Sequence, residues 1–484
     1  MLPCCGRHSS LVAFLLVACG GRGAGPDGGA RLVPEAEIAE LKRSLMATMA
    51  ENRTRVCKRP LLRGQALEGS ADEDIRALIE PTGDLAACLE ATRADGVREA
   101  LAFPAAEGAE EPPIRTARPL GDPASLTPAI QEVDARCGML PEAIGRAVGH
   151  EDACSPYLTG RRPEPSLLPY LGVCRAVAAR ARHLGQEGQL APALRLLFDA
   201  LRLGQDLSRG GPGLLIPMMS AAGGELLLPQ AEVLLQSGAL SAEDASSLAS
   251  ELDTLIANEV HWSEFLRGEY ADMALYMVLP QLEPAGWVPP GGWPDGMGSP
   301  TGQDASGALR TKSMGLPPRD EEALAWVALD ETTRGKRAAC PASATLQTCI
   351  AALARLTTET VARGTKLGLP PLSRGPTKAT RRQILDILEG IAAPADAKYA
   401  RRYARRLARL AAMRIHLEAR RAATCPAEGD FGRTPLQELL SPAALGGTLG
   451  VVRADGGVDV APPDWLAGTA NRREPIWRIR CPPR

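Results

Sequence analysis

Four side chains that could carry acid-base or metal chemistry lie close together in the chain: His261, Glu264, Glu269 and Asp272. On a helix, His261 and Glu264 occupy adjoining turns, and the other two form a carboxylate pair further along. A carboxylate beside an imidazole can orient the ring or raise its pKa, so this group is the candidate for a general base or half of a metal site. Because His261 and Glu269 would lie about 12 Å apart along a helix, one metal ion cannot bridge them. We predict no metal and no cofactor.

Motifs of the common enzyme classes do not accompany these residues. The chain contains no GxSxG nucleophile turn, no SxxK pair, no HExxH zinc helix and no GxxxxGK phosphate loop. His150, Glu151 and Asp152 are ligand-type side chains, but adjacent residues rarely converge on one ion, so we predict a solvated loop there. Lys and Arg number 55 against 57 Asp and Glu, which leaves no basic excess for a nucleic-acid partner.

A strongly basic segment lies between residues 398 and 421. Apolar side chains recur there at helical spacing, which predicts an amphipathic helix: Tyr399, Tyr403, Leu407, Leu410 and Leu417. Five arginines flank this stripe: Arg401, Arg402, Arg405, Arg406 and Arg409. They could contact an anionic lipid or polysaccharide surface, or they could form the solvated face of a helix packed on the core. Both interpretations are open from the sequence.

Nine cysteines follow Cys19, and none forms a CxxC pair. In an exported chain, scattered cysteines favour disulfides over a thiolate metal site. Cys174 lies on the apolar stripe of a predicted helix, so we predict that it is the unpaired, buried thiol. Proximity in sequence predicts four disulfides among the others: Cys57 with Cys88, Cys137 with Cys154, Cys340 with Cys349, and Cys425 with Cys481.

The N-terminus carries an export signal. Arg7 precedes an apolar run from Leu11 to Ala18, which is too short to cross a bilayer as a helix and suits the core of a signal peptide. The run ends in Leu16-Val17-Ala18-Cys19, and this segment resembles the lipobox of bacterial lipoproteins. The resemblance implies cleavage before Cys19, lipid attachment to its sulfur and, with Gly20 following, sorting to the outer membrane. An ordinary secretory signal is the alternative.

Helical periodicity dominates the rest of the chain, so the predicted fold is mostly α. It is an irregular multi-helix body followed by a small module of one helix and an antiparallel β-sheet. Composition agrees, because 45% of the residues are hydrophobic while only 4% are aromatic. Breaks in the pattern divide the chain into these regions: 1–18 signal peptide, 19–33 lipidated cysteine and tether, 34–123 N-terminal helical region, 124–390 central helical domain with a Gly/Pro/Trp insertion at 282–318, and 391–484 basic helix and β-sheet tail.

Two segments carry local resemblances. Residues 184–203, with Gly188 in a turn and small alanines at close-packing positions, resemble half of a tetratricopeptide-type helix pair. The basic helix and the strands that follow it, with Asp455-Gly456-Gly457 in a hairpin turn, distantly resemble the globular end of pilin-like modules. Between these segments, Ser241 caps a predicted helix whose apolar seam continues to Tyr276.

Together these features predict a lipid-anchored protein of the cell envelope whose body faces the periplasm or the cell exterior and acts by binding. The expected partners are the membrane, through the N-terminal lipid, and an envelope protein or an anionic polysaccharide or lipid. The alternative is an envelope enzyme of hydrolase or metal-dependent type with its site near the four side chains at 261–272. Their convergence with polar groups from another segment would favour the enzyme, whereas separate salt bridges would favour binding.

Overall fold

The structure, a computed structural model, describes the following parts of the chain: residues 33–55, 58–101, 119–120, 127–153, 168–209, 215–238, 240–274, 318–366, 382, 396–422, 445–454, 457–466 and 475–480. Several predicted features lie outside these parts: the signal peptide with Cys19, the insertion residues 282–317, and the cysteines Cys57, Cys154, Cys425 and Cys481.

The mostly α fold is confirmed. Within the described residues the helices are α1 Glu35–Arg55, α2 Asp72–Ile79, α3 Gly83–Ala91, α4 Asp95–Leu101, α5 Pro128–Arg136, α6 Leu140–Val148, α7 Leu168–Gln186, α8 Leu190–Ser208, α9 Leu215–Ser237, α10 Ala242–Ala257, α11 Trp262–Met273, α12 Pro318–Ala339, α13 Leu346–Lys366 and α14 Asp396–Arg421. The strands are short: β1 Leu67–Ser70, β2 His150–Asp152, β3 Gly450–Ala454, β4 Gly457–Ala461 and β5 Trp477–Arg480.

Helices α7 and α8 form the helix pair that the sequence predicts around Gly188. This glycine has a φ of +78°, a left-handed conformation that costs glycine little because it has no Cβ. Side chains of the predicted stripe on α7, Tyr170 and Cys174 among them, are buried. Because α6, α7, α9 and α10 all contact α8, that helix is buried along almost its whole length. It is the central element of the body.

Helix α9 runs through Pro229 without ending and packs against α7, α8 and α14. Glycine makes this close packing possible. A Cβ on Gly223 of α9 would lie 2.6 Å from the Tyr170 hydroxyl, and one on Gly204 of α8 would lie 2.3 Å from the same oxygen. In the described part of the chain, no helix combines the length and apolarity needed to cross a bilayer.

The single helix predicted from Ser241 to Tyr276 is wrong, because the structure divides it into α10 and α11. Its start is as predicted: the Ser241 hydroxyl accepts a hydrogen bond from the backbone N–H of Asp244 at 3.0 Å. The helix then ends at Ala257, and His261 starts the next one by accepting a hydrogen bond from the N–H of Ser263 at 3.2 Å. A stripe of apolar residues indicates which side chains face the core. It does not indicate whether the backbone hydrogen bonds of the helix continue without a break.

The C-terminal sheet matches the sequence prediction. Strands β3 and β4 form an antiparallel hairpin with Val451 opposite Val460, and β5 pairs antiparallel with β4, with Val458 opposite Ile479. Alternate side chains of β5 are buried, and this strand packs against α9 and α14. The hairpin turn at residues 455–456 lies outside the described residues.

Two disulfides are present among the described cysteines, and only one of them was predicted. The Cys340–Cys349 bond is confirmed. Cys88 of α3 is bonded instead to Cys137, which follows α5, with their Cα atoms 5.0 Å apart, so the predicted pairs Cys57–Cys88 and Cys137–Cys154 are wrong. Packing of α3 on α5 brings together two sulfurs that are separated by 49 residues in the chain. Pairing cysteines by their distance along the sequence cannot predict such a contact.

One hydrophobic core runs through the regions that the sequence separates. A single cluster of buried side chains extends from Ala71 near the N-terminus, through α7, α8 and α14, to Ile479 in the last strand. The Cys88–Cys137 bond also crosses the predicted boundary at residue 123. The N-terminal helices, the central helices and the tail therefore contribute to the same core.

Candidate functional site

His261, the centre of the sequence-predicted enzyme site, is held by two structural contacts. Its Nδ1 lies 2.8 Å from the Ser263 hydroxyl at the start of α11, and its Nε2 lies 3.0 Å from the carbonyl oxygen of Ala344, before α13. Since Nδ1 accepts the N–H of Ser263, Nε2 is the nitrogen that donates to the carbonyl. Nδ1 therefore caps the start of α11, and Nε2 joins this helix to the segment between α12 and α13.

Of the carboxylates predicted to accompany His261, Glu264 has an arginine partner on its own helix. Glu264 is one-third exposed and forms an ion pair with Arg267, one turn further along α11. Glu269 is half-buried on the same helix, and the side chain of Asp272 lies outside the described parts. Throughout the described ranges, no three His, Cys, Asp or Glu side chains are grouped so that they could hold a metal ion.

The predicted solvated loop at His150–Asp152 is wrong. These residues form strand β2, which pairs in parallel with β1. His150 is buried, and its Nε2 lies 3.0 Å from a carboxylate oxygen of Asp74, which also pairs with Arg146. Three adjacent polar residues in sequence do not reveal that a segment from a distant part of the chain will pair with them as a strand.

Cys174 is confirmed as an unpaired, buried thiol. Burial raises its pKa to about 12, and burial likewise raises the pKa of the neighbouring Tyr170 well above its usual value. Because the thiolate is the nucleophilic form, Cys174 is not activated for covalent catalysis at neutral pH.

The proposed anionic-surface contact of the basic helix is wrong for two of its five arginines. Arg406 and Arg409 of α14 are only 4% and 6% exposed. Arg406 pairs with Glu259 at 3.0 Å and donates to the Ser220 hydroxyl, and Arg409 pairs with Glu232 and lies over the Trp477 ring. Arg401 is exposed, and Arg402 and Arg405 are half-buried. Helical spacing alone could not show that neighbouring helices supply carboxylates to this face.

Glu259, in the break between α10 and α11, binds side chains of two other helices, α8 and α14. Its carboxylate accepts hydrogen bonds from the Tyr403 hydroxyl at 2.6 Å and from the side-chain amide of Gln205 at 2.8 Å, and it pairs with Arg406. Burial, followed by the adjacent Glu259 charge, raises the pKa of Tyr403 well above its usual value. The Tyr403 hydroxyl therefore stays protonated and acts as a hydrogen-bond donor.

A charged stripe along α8 is not among the features predicted from the sequence. Its members alternate in sign and recur every three or four residues, so they share one helix face: Arg195, Asp199, Arg202, Asp206 and Arg209. This spacing was available in the sequence as a signal. Most of the stripe is buried, and burial lowers the pKa of Arg202 to about 10, which still leaves it cationic at neutral pH.

An extended segment of the chain, residues 58–66, covers this stripe, and we call it the strap. Arg59 is fully buried and donates to both carboxylate oxygens of Asp206 at 2.8 and 2.7 Å, while the carbonyl oxygen of Pro60 accepts from Arg202 at 2.5 Å. Further along, Arg63 contacts Asp199. The strap therefore presents two arginines, four residues apart, to two aspartates of the helix.

At the end of the stripe near Arg209, buried arginines outnumber buried carboxylates. The C-termini of neighbouring helices offset this excess of positive charge. Arg59 also donates to the carbonyl oxygens of Val148 and His150, where α6 ends, and Arg209 donates to that of Asn258, where α10 ends. The C-terminus of α8 lies at the same place. Because a helix C-terminus carries a partial negative charge, three converging ends stabilise these buried cations.

The other end of the stripe, around Asp199, is the arrangement of charges that most resembles a binding site. Asp199 of α8 and Glu251 of α10 are both buried, and the half-exposed Arg63 bridges them, donating to Glu251 at 2.7 Å. Arg195 donates to the other oxygen of Glu251 at 3.1 Å. Burial raises the pKa of Asp199 to about 6. Two carboxylates from different helices thus face one guanidinium at the protein surface.

Comparison of the chain with protein-family models, with curated proteins and with solved structures found no match.

Proposed function

We propose that this protein is a bacterial lipoprotein anchored in the outer membrane of the cell envelope, and that its helical body acts by binding a partner protein. The observation that carries the anchoring is the Leu16–Cys19 segment behind a basic residue and a short apolar run. A single acyl chain binds membranes only weakly, whereas a diacylated cysteine anchors a protein stably.

Two observations support binding rather than catalysis. Both ring nitrogens of His261 are engaged in hydrogen bonds, one to Ser263 at the start of α11 and one to Ala344, and Glu264 pairs with Arg267 of its own helix. The buried Cys174 is kept as a thiol. A general base needs a free ring nitrogen within reach of its proton, and a cysteine nucleophile needs a thiolate.

Replacement of the lipobox cysteine tests the anchoring. We expect wild-type protein to incorporate labelled palmitate and to enter the detergent phase on phase separation, and Cys19→Ser to do neither. Cys5→Ser is the matched control, because it lies in the same signal segment and should behave as wild type. Equal labelling of Cys19→Ser and wild type would refute the lipoprotein assignment.

Purification of the full chain from cross-linked envelopes tests the binding role. We expect a partner protein that is enriched with wild type over Cys19→Ser and that binds again to the purified chain in detergent. A purified chain that recovers no rebinding partner but turns over an envelope substrate, and loses this activity in His261→Ala, would instead establish the enzyme.

A further inference from the structure

Two buried carboxylates on different helices converge on one arginine side chain. Asp199 and Glu251 are 6% and 3% exposed, and Arg63 donates through one terminal nitrogen to each of them. A guanidinium can span two acceptors because its N–H groups form a rigid, planar fork, whereas a lysine ammonium is a compact point charge. The spacing of the two carboxylates therefore suits a guanidinium.

The site also has an acceptor that Arg63 leaves unused. Oδ2 of Asp199 accepts a hydrogen bond from Arg63, but Oδ1 of the same carboxylate is buried and has no hydrogen-bond partner among the residues that the structure describes. A buried carboxylate oxygen without a donor costs free energy, and native structures contain few of them. An incoming group with several N–H donors would satisfy this oxygen.

Arg63, the side chain that fills the site, is more exposed than the other arginine of the strap. The Arg63 side chain is 36% exposed, and residues 64–70 that follow it are all exposed, starting with Gly64 at a φ of +75°. The inner arginine of the same strap, Arg59, has no exposed side-chain surface and is bound to a carboxylate and two carbonyl groups. Arg63 can therefore leave its partners while Arg59 keeps the strap attached.

We propose that Asp199 and Glu251 form a binding site for a guanidinium group, which Arg63 fills in this structure, and that an arginine side chain of an extended partner segment exchanges with it. This inference rests on the binding role proposed above and names the chemistry of its partner. Arg195 is a positioning residue, because it orients Glu251 from the same face of α8 that carries Asp199. Its positive charge also disfavours a metal ion at this place.

The test is a titration of the purified full chain in detergent with the synthetic peptide acetyl-Pro-Leu-Leu-Arg-Gly-Gln-Ala-amide, the sequence of residues 60–66. We expect saturable, salt-sensitive binding to wild type. A tethered competitor acts at about millimolar effective concentration, so if Arg63→Ala binds the peptide with a Kd of about 0.1 mM or lower, as we expect, wild type should bind it about tenfold more weakly. The same peptide with citrulline in place of arginine has lost its charge and should not bind.

Two protein variants complete the test. Asp199→Asn in the Arg63→Ala background should lose peptide binding, whereas Arg146→Ala, which removes a half-exposed arginine from an ion pair with Asp74, should bind like wild type. Equal binding of the arginine and citrulline peptides, or no binding to Arg63→Ala up to about 10 mM peptide, would overturn the proposal. If Arg63→Ala does not fold, wild type alone tests the proposal. Wild type must then bind the arginine peptide and must not bind the citrulline peptide. The lipid-labelling result stands independently of this titration.

Discussion

The indole N–H of Trp477 donates to Nδ1 of His416 over 3.1 Å and so joins the last strand of the sheet to the basic helix. His416 is completely buried on α14, and its Nε2 has no hydrogen-bond partner among the described residues. Burial, with a smaller contribution from the nearby Arg420, lowers the pKa of His416 from 6.5 to about 3. A protonated ring would place a second N–H against the indole donor. The sheet is therefore bound to a neutral imidazole.

We predict that acid weakens the folded state through His416. The unfolded chain binds the proton near pH 6.5 and the folded chain only near pH 3, so the unfolded state binds more protons between these values and stability falls as pH falls. From pH 7 to pH 5 this residue should cost about 2 kcal/mol. Urea unfolding of wild type and His416→Gln at both pH values measures the difference. Identical pH profiles for the two proteins would contradict it.

We predict that two arginines of the same helix differ strongly in their effect on stability. Arg406→Ala leaves the buried Glu259 carboxylate without its cation and should lower the free energy of unfolding by about 3–5 kcal/mol. Arg401→Ala is the matched control, because its side chain is exposed, and it should change stability by less than about 0.5 kcal/mol. Equal, small effects in urea titrations would show that Arg406 lies at the surface.

We predict that Cys88 is linked to Cys137 and Cys340 to Cys349. Peptide mapping without reduction should recover both linked pairs. By loop-closure entropy, replacing the first pair by serine should cost about 4 kcal/mol and replacing the second about 3 kcal/mol, because the first closes the longer loop. Recovery of Cys88 linked to any other cysteine would contradict the packing of α3 against α5.

We predict that Cys174 resists alkylation in the folded protein. With its pKa raised to about 12, about one thiol in ten thousand is ionised at pH 8, and the sulfur is completely buried. Mass spectrometry after iodoacetamide treatment should find Cys174 unlabelled in buffer and labelled in urea. Tyr170→Phe removes the hydroxyl beside the thiol but leaves it buried, so it should not restore labelling. Fast labelling in buffer would refute the burial of this sulfur.

Elements whose determinants lie within a few residues were predictable from the sequence. The helix pair around Gly188, the Ser241 cap and the hairpin of Val451 with Val460 follow from local periodicity and turn chemistry. The Cys340–Cys349 bond belongs to the same class, because only a short loop separates the two cysteines. In each case the interacting groups are neighbours along the chain, so their types and spacing suffice.

Features that depend on contacts between distant segments required the tertiary structure. Cys88 bonds Cys137 because α3 packs on α5, and the buried ring of His150 meets Asp74, which lies far from it in the sequence. Spacing along a helix indicates which residues share a face but not what packs against that face. The sequence therefore predicts surface arginines on α14, whereas Arg406 and Arg409 are buried and paired with Glu259 and Glu232.

The α8 stripe illustrates both kinds of determinant. Its alternation of charge from Arg195 to Arg209 is present in the sequence at helical spacing, and a search for charge periodicity would have found it. The partners are not local: Arg59 and Arg63 reach the stripe from more than a hundred residues away. Whether a charged side chain is solvated or paired depends on the surrounding dielectric and on the nearest opposite charge, and only the packed chain sets both.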